Sequence, residues 1–370
     1  MNSGDTGACA RIVRGYLKSA TSAFFVSASR VGRRPLILPV MIRCKVSRWR
    51  YLRMAPILLF AVALSVAGTW SIAGLSFDPK IMNSVVAVIP ARPGQMPRGG
   101  TGTRDAPEGT AVAVFDGGYL VTNAHVLGRA AKVDIRLANG RLVAVEIVGR
   151  DPRTDLALLK APMEFPVPQT ASVPKLGGRV CAIGNQFGLG LSVTCGVVSA
   201  RRRTHAGFNP IEDFIQTDAA VNPGGSGGAL VDGEGRLVGI VSAIFTKKSD
   251  ADIGVNFAAA MGLVRRVGQD IRDYRRVKIG RSGLLTVPLS LEGRRQWSGA
   301  RVARIIPRSA AEASDLEVGD LVTRIDDRPI VLPSDVRTAI FMRRPGDTLS
   351  VRYIRDGNEA ETALTLKAGR

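Results

Sequence analysis

After Asp78 the chain reads as short apolar runs separated by turn residues. Ser84-Val85-Val86-Ala87-Val88-Ile89 predicts a strand, and residues 91–109, rich in Gly, Pro and Arg, predict a loop or linker. Thr110–Phe115 and Tyr119–Thr122 are divided by Asp116-Gly117-Gly118. Lys132–Leu137 and Arg141–Val148 are divided by Asn139-Gly140, a hairpin signal. Further strands are expected at Leu156–Leu159, Arg179–Ile183, Leu191–Ala200, Phe214–Thr217, Ala229–Val231, Leu237–Ile244 and Val255–Ala258. Roughly a dozen short strands in this stretch argue for all-β barrels or sandwiches. Met261, Leu263, Val264, Val267 and Ile271 recur at helical spacing and predict a closing helix over Met261–Tyr274.

A second β-rich unit is expected from Gly280, with strands at Leu284–Leu289, Ala300–Ile306 and Gly319–Ile325. Short helices are expected at Ala310–Ala313 and from Pro333-Ser334-Asp335. A hairpin around Asp356-Gly357-Asn358 closes the unit.

Ahead of these units, Ala55 to Phe77 is a run of 23 uncharged residues preceded by Lys45, Arg48, Arg50 and Arg53. A helix of about 20 apolar residues spans a bilayer, and a basic flank stays on the cytoplasmic side. The chain beyond Asp78 is therefore expected to be exported. Two readings remain open: an uncleaved anchor, or a signal peptide cut near Ser71-Ile72-Ala73. Residues 1–40 are basic and unpatterned, and Met41 or Met54 offers a more ordinary start. That stretch is read as disordered or untranslated. The expected organisation is 1–53 basic segment, 54–77 membrane or signal segment, 78–275 first β domain and 280–368 second β domain.

Composition agrees with this picture. Aromatics are only 5% while the chain has 41 Gly and 20 Pro, which favours short strands and turns over long helices. The net charge of +20 needs division before it is read as nucleic-acid binding. Residues 1–53 hold eleven Lys/Arg and one acid, so half the excess precedes the apolar run and sets orientation. Apart from Arg201-Arg202-Arg203 the remainder is dispersed, with no basic stripe interleaved with aromatics, and a nucleic-acid partner is not expected. Of the four cysteines, Cys181 and Cys195 fall on the exported side, where disulfides persist. They flank a glycine-rich loop and are either a bridge across a hairpin or two separate thiols.

Gly224-Gly225-Ser226-Gly227-Gly228 carries the chemistry. Glycines around one serine allow a sharp turn that exposes the hydroxyl and aims main-chain N–H groups at one point, as acyl transfer requires. A serine nucleophile needs a general base, usually His. The chain has two histidines, His125 and His205, and both precede Ser226. The α/β-hydrolase order places histidine last and is excluded. The subtilisin order needs an earlier aspartate and parallel-sheet patterning, which is absent. The order His, Asp, Ser remains. His125 ends an apolar strand; His205 lies in a basic, exposed loop. Asp155 directly precedes an apolar strand and is placed to orient His125. Asp151 reads as a turn residue, Asp134 as solvent-facing, and Asp218 fits the order of roles less well.

Three segments together are recognisable. Thr122-Asn123-Ala124-His125-Val126, Asp155-Leu156-Ala157-Leu158-Leu159 and Gln216-Thr217-Asp218-Ala219-Ala220-Val221-Asn222-Pro223-Gly224-Gly225-Ser226-Gly227-Gly228 resemble the catalytic blocks of the HtrA/Deg family of trypsin-like serine proteases. Ala182-Ile183-Gly184-Asn185 and Gly196-Val197-Val198-Ser199-Ala200 resemble segments between them. The resemblance implies a mostly β fold: a chymotrypsin-like double β-barrel of two six-stranded barrels. Ser226 would be the acylated nucleophile, His125 the general base and acid, and Asp155 the orienting carboxylate. The Gly224-Gly225-Ser226 backbone would form the oxyanion hole. It implies cleavage of unfolded or misfolded polypeptide without metal or cofactor. The pocket residues would be Ala220 and Val221, whose lack of charge disfavours Lys or Arg in the substrate. Gly225 stands where the family usually has Asn, which predicts a more flexible loop. Phe257-Ala258-Ala259-Ala260, lacking the family's bulkier residues and proline, is expected to meet the substrate backbone.

Ala300–Ala311 and Leu316–Asp326 resemble a PDZ domain, which implies binding of peptide C-termini by strand addition, with the carboxylate loop near Gly283-Leu284-Leu285. The family usually has glycine at Leu285. One anchor, one protease and one PDZ domain resemble the membrane-anchored, stress-sensing branch of the family, which implies protein quality control in the bacterial periplasm, an inner-membrane anchor and a homotrimer. The alternatives are a catalytically weak protease-like chaperone or a PDZ adaptor.

Overall fold

Residues Val85 to Ala260 are organised as two closed antiparallel barrels of six strands each. The computed structural model describes residues 79–91, 108–244 and 254–369. The apolar run Ala55–Phe77 and the basic segment before it lie outside the described residues. Among the described residues no helix is long and apolar enough to cross a membrane. The first barrel runs β1 (Val85–Pro90), β2 (Gly109–Phe115), β3 (Tyr119–Asn123), β4 (Val133–Arg136), β5 (Leu142–Asp151) and β6 (Leu156–Lys160), closed in the order β1-β2-β3-β6-β5-β4. The second runs β7 (Arg179–Gly184), β8 (Ser192–Arg203), β9 (Phe214–Thr217), β10 (Ala229–Asp232), β11 (Leu237–Ile244) and β12 (Asn256–Ala260), closed as β10-β11-β12-β9-β8-β7.

Several of these strands are apolar on both faces along most of their length, and the structure explains why. Successive side chains point to opposite faces, and here each face has its own core. In β2, Ala111 and Ala113 fill the first barrel beside Val88, Leu120 and Leu159. Val112 and Val114 enter a shared core with Val121, Leu158 and, from the second barrel, Ile183, Val231 and Ile240. In β10, Leu230 faces the inside of its own barrel while Ala229 and Val231 join the shared core. Burying one such Leu, Ile or Val side chain is worth about 1.5–3 kcal/mol. The barrels are thus welded through the outward faces of their innermost strands, and the seam between them is fixed.

A one-turn helix α1 (Ala124–Leu127) follows β3, and α2 (Met261–Tyr274) closes the double barrel as the periodicity predicts. Its Leu263, Val264, Val267 and Ile271 are buried in the shared core. Beyond it lie the small ladder β13 (Gly280–Arg281) with β20 (Lys367–Ala368) and a sheet of β14 (Leu284–Pro288), β15 (Ala300–Ile305), β16 (Leu321–Ile325), β18 (Thr348–Arg355) and β19 (Asn358–Thr365) in that order. The short β17 (Arg328–Pro329) pairs with β16. Helix α3 (Gly293–Gln296) sits between β14 and β15 in sequence, and α4 (Pro333–Phe341) packs beside β14. Asp356 (φ 50°) and Gly357 (φ 81°) make the positive-φ turn of the β18–β19 hairpin, which only such residues adopt readily. The helix expected at Ala310–Ala313 is absent. Those residues form successive turns, with the Ala311 N–H donated to the Ser282 carbonyl and the Ser314 hydroxyl donating to the Ala311 carbonyl.

The two β units meet through α4 and the 204–213 segment. Arg328 donates two hydrogen bonds to the Asp213 carboxylate at 3.2 and 2.7 Å, the Thr338 hydroxyl donates to the Glu212 carbonyl (2.8 Å), and Thr204 donates to Asp335 (2.5 Å). Phe341 of α4 enters the shared core of the barrels. At the far side Asp270, fully buried on α2, accepts bonds from the Lys278 N–H (2.7 Å), Arg266 and Arg344 (2.8 Å). Burial alone would raise its pKa. The backbone N–H and the two guanidinium groups outweigh burial and hold the carboxyl below its ordinary value.

Asp270→Asn is expected to cost about 3 kcal/mol at neutral pH, because it strips the partner from two part-buried arginines. A depressed folded pKa contributes stability that is present above the unfolded value and lost as pH falls through the folded one. The gap between wild type and variant in urea midpoints should therefore hold from pH 7 to about pH 4 and shrink below it. A gap independent of pH would show that the charge is not its source.

Candidate active site

Pairing of β3 with β6 sets Thr122 opposite Ala157 and Asn123 opposite Leu156, so the residues just beyond, His125 in α1 and Asp155 before β6, face each other. Asp155 adopts a left-handed backbone (φ 56°), unusual outside glycine and most tolerable for Asp and Asn. In that conformation its carbonyl accepts the Ala124 N–H (2.9 Å) and the Asn123 side-chain amide (3.1 Å). Its carboxylate accepts the His125 backbone N–H (2.8 Å) on one oxygen and meets His125 Nδ1 at 2.5 Å on the other. A carboxylate can only accept, so Nδ1 carries the proton and Nε2 is left as the base. The histidine side chain is 51% exposed and its carboxylate partner 16%, so the pair is anchored on one side and open on the other. The turn behind it is built by Asp151. This residue is 1% exposed, accepting from Arg153 Nε (2.8 Å) and the Thr154 hydroxyl (2.9 Å).

Ser226 sits in the loop before β10. Trans peptide units point C=O and N–H in opposite directions, so a bonded carbonyl fixes where the next N–H points. The Pro223 carbonyl is held by the Phe187 N–H (2.6 Å), which turns the Gly224 N–H the other way. The Gly225 carbonyl is held by the Gly228 N–H (3.0 Å), which does the same for the Ser226 N–H. Neither N–H is spent on another group among the described residues, which suits them to receive an oxyanion. Gly224 has φ 92°, and a Cβ there would stand 2.3 Å from the Asn185 carbonyl, so only glycine fits. Gly225 is buried and bonded on both sides, its N–H to Asn222 (2.9 Å). The Ser226 hydroxyl makes no hydrogen bond to His125. Such contacts often tighten only when substrate binds.

One residue that the sequence reading passed over ties these parts together. Thr110, wholly buried at the start of β2, gives its N–H to the Ser226 carbonyl (2.9 Å) and its hydroxyl to the Gly224 carbonyl (2.7 Å). The same hydroxyl accepts the Asn185 N–H (2.9 Å), and its carbonyl accepts the Thr122 hydroxyl (2.7 Å) in the strand that leads to His125. Beside it the Glu108 carboxylate accepts a hydrogen bond from the Asn185 amide (2.6 Å) and two from Arg136 at 3.0 and 2.7 Å. The sequence signal was only a polar residue in an apolar strand.

Other expected residues fall as follows. Ala220 is half-buried and Val221 buried; the Ala220 carbonyl accepts the Thr194 hydroxyl (2.5 Å) and Gln186 (3.4 Å), and Gln186 accepts Asn222 (2.7 Å). Thr194 and Gln186 were not anticipated. Cys181 and Cys195 are register partners of β7 and β8 and form a disulfide. Strand β12, with Phe257-Ala258-Ala259-Ala260, is hydrogen-bonded to both β11 and β9, so neither edge is open to a substrate backbone, contrary to expectation. His205 is exposed and remote in its bonding from the His125–Asp155 pair. Asp218 accepts the Val197 N–H (2.7 Å). Gly283 (φ 74°), Leu284 and Leu285 open β14, and the Leu284 N–H is bonded to the Ser282 hydroxyl (3.0 Å).

Residues 109–240 match the trypsin-like peptidase domain family, and residues 251–366 match the PDZ domain family. The chain is 35% identical over 263 residues to the periplasmic serine endoprotease DegP of Escherichia coli K12, covering 68% of this chain and 55% of that protein. It is 32% identical over 258 residues to the periplasmic pH-dependent serine endoprotease DegQ of the same organism, covering 67% and 56%. The chain thus spans a little over half the length of these curated relatives. Among solved structures, the HtrA-type protease AlgW with a tripeptide superimposes with a TM-score of 0.63 at 32% identity, over 80% of this chain and 98% of that one.

For acyl transfer at Ser226, Thr110→Val is expected to lower kcat by about tenfold to a hundredfold, with KM changed less than about threefold, because it loosens the oxyanion donors and not the binding surface. Thr110→Ser, which keeps the hydroxyl, should recover most of the rate. A loss confined to thermal stability, or no rescue by serine, would assign Thr110 to packing alone.

Proposed function

The chain belongs to the HtrA/Deg family of trypsin-like serine proteases with a C-terminal PDZ domain, and on that premise we propose that it is a serine endopeptidase of unfolded or misfolded exported polypeptides. What supports the reading is the His125–Asp155 pair, held by the left-handed backbone of Asp155, together with a serine loop that has two uncommitted N–H groups and is tied through Thr110 to the strand leading to His125.

In this mechanism Ser226 Oγ attacks the scissile carbonyl while His125 Nε2 takes its proton. Asp155, bonded to Nδ1, holds the ring and stabilises the imidazolium. The tetrahedral oxyanion is received by the Gly224 and Ser226 N–H groups, with Gly225 setting the turn between them. His125 returns the proton to the leaving amine, and an acyl-enzyme on Ser226 remains. Water then attacks the ester with His125 as base, and Ser226 is restored. No step requires a metal or cofactor. The uncharged Ala220 and Val221 favour small aliphatic side chains beside the scissile bond.

The PDZ domain is read as a receptor for peptide C-termini that tunes the protease. A groove beside β14 is lined by Arg153, Pro210 and Ile211 as well as by PDZ residues, and the Arg153 carbonyl accepts the Ile211 N–H (3.0 Å), two residues from Asp155. A ligand there touches the segment that shapes the catalytic carboxylate. The periplasmic naming of the relatives supports an exported location, and the run from Ala55 to Phe77 with its basic flank supports a membrane anchor. Trimeric assembly is part of the same reading, by resemblance to the family.

The test is hydrolysis of unfolded casein by the full chain and by Ser226→Ala. Wild type should cut and the variant should lose at least about a thousandfold. Equal cutting would mean a different nucleophile. Absence of cutting by both, with and without C-terminal peptides, would transfer the function to chaperoning or to the PDZ domain.

A further inference from the structure

The groove that the PDZ reading assigns to peptides has a volume of about 1010 Å³ and lies along β14, an edge strand that pairs only with β15. Its lining combines apolar side chains, among them Leu284, Ile306, Ile340 and Phe341, with basic ones. Five basic side chains line it and no carboxylate does. Arg153 is matched by Asp151 at 2.7 Å. Arg281, Arg308, Arg337 and Lys367 form no ion pair among the described residues. Glu312 accepts the backbone N–H of Arg308 but does not line the groove.

The arrangement of these charges points to a ligand. Arg281 and Lys367 are register partners in the β13–β20 ladder. Like charges directly opposite each other in a ladder are destabilising. Lys367 also places its ammonium on the Arg308 carbonyl at 2.8 Å, which brings the third cation to the same corner. That corner is the carboxylate end of the groove: Arg281 is two residues before Gly283, and a Cβ at Gly283 would collide with Ser309, the neighbour of Arg308. Arg337 on α4 also lines the groove. A single terminal carboxylate offsets one of these cations and leaves the others unmatched. The Leu284 N–H, already given to Ser282, is one fewer backbone donor for that carboxylate.

We propose that the groove selects peptide C-termini that carry one or more Asp or Glu side chains next to the terminal carboxylate, with Arg281, Arg308 and Lys367 as their partners. The proposal rests on the peptide-receptor reading above. The apolar lining takes the side chains that alternate with the acidic ones when the peptide adds as a strand to β14.

Fluorescence anisotropy of labelled decapeptides on the full chain carrying Ser226→Ala tests it. Two peptides share an apolar last residue and differ in having Glu or Gln at the two positions before it. The Glu peptide should bind about tenfold tighter at about 0.05 M salt, and the advantage should fall below about twofold at 1 M, where the screening length is about 3 Å. In Arg281→Gln/Lys367→Gln the ratio should fall to near one. Its thermal midpoint is followed alongside, and relief of the like-charge pair should keep it from falling. Equal affinities for the two peptides, or a preference untouched by the double substitution, would overturn the acidic selection while leaving the peptide receptor in place. Binding of neither peptide would remove both.

Discussion

The structure turns on one small buried residue at the seam of two barrels. The candidate nucleophile comes from the second barrel and the base and carboxylate from the first, so the site exists only while the barrels hold one relative position. Apolar packing in the shared core supplies the energy for that position but is non-directional. Thr110 supplies the direction: its N–H, hydroxyl and carbonyl reach the Ser226 carbonyl, the Gly224 carbonyl, the Asn185 N–H and the Thr122 hydroxyl. Thr110 itself is wholly buried, where an unmade bond costs about 1–3 kcal/mol. A shift of one barrel would break several bonds at once, which makes the alignment sharp.

What the sequence reveals and what it hides follow the same division. His125, Asp155 and Ser226 stood out as candidates because each lies in a contiguous block with a distinctive local backbone: a strand end, a left-handed turn, a glycine loop. The strands and the helix Met261–Tyr274 were legible from periodicity. Thr110, Glu108, Gln186 and Thr194 were not, because their roles arise from partners about 8 to 114 positions away that only the barrel closure brings near. The same applies to β12. An apolar strand reads alike whether its edge is free or paired, and closure of the second barrel consumed both edges. The segment Ala310–Ala313 looked helical by composition, but Ser282 and Ser314 take the backbone groups a helix would need.

The contacts between the two β units are mostly polar. Arg328 with Asp213, Thr204 with Asp335 and Thr338 with Glu212 all fall on the 204–213 segment and the elements around α4. Such contacts have definite geometry and break or form as units, unlike an apolar interface that slides. They sit beside the groove, so occupancy of the groove and arrangement of the catalytic turn share a boundary.

Asp155 carries two requirements at one position. Its carboxylate serves the histidine, and its backbone must hold φ 56°. Asn meets the second requirement as well as Asp does, and glycine meets it at little cost. Asn lies one nucleotide away from Asp in the genetic code. A single base change can therefore remove the carboxylate without disturbing the fold. Folding would accept the alternative, so the need for an acid at Asp155 is a need of chemistry alone.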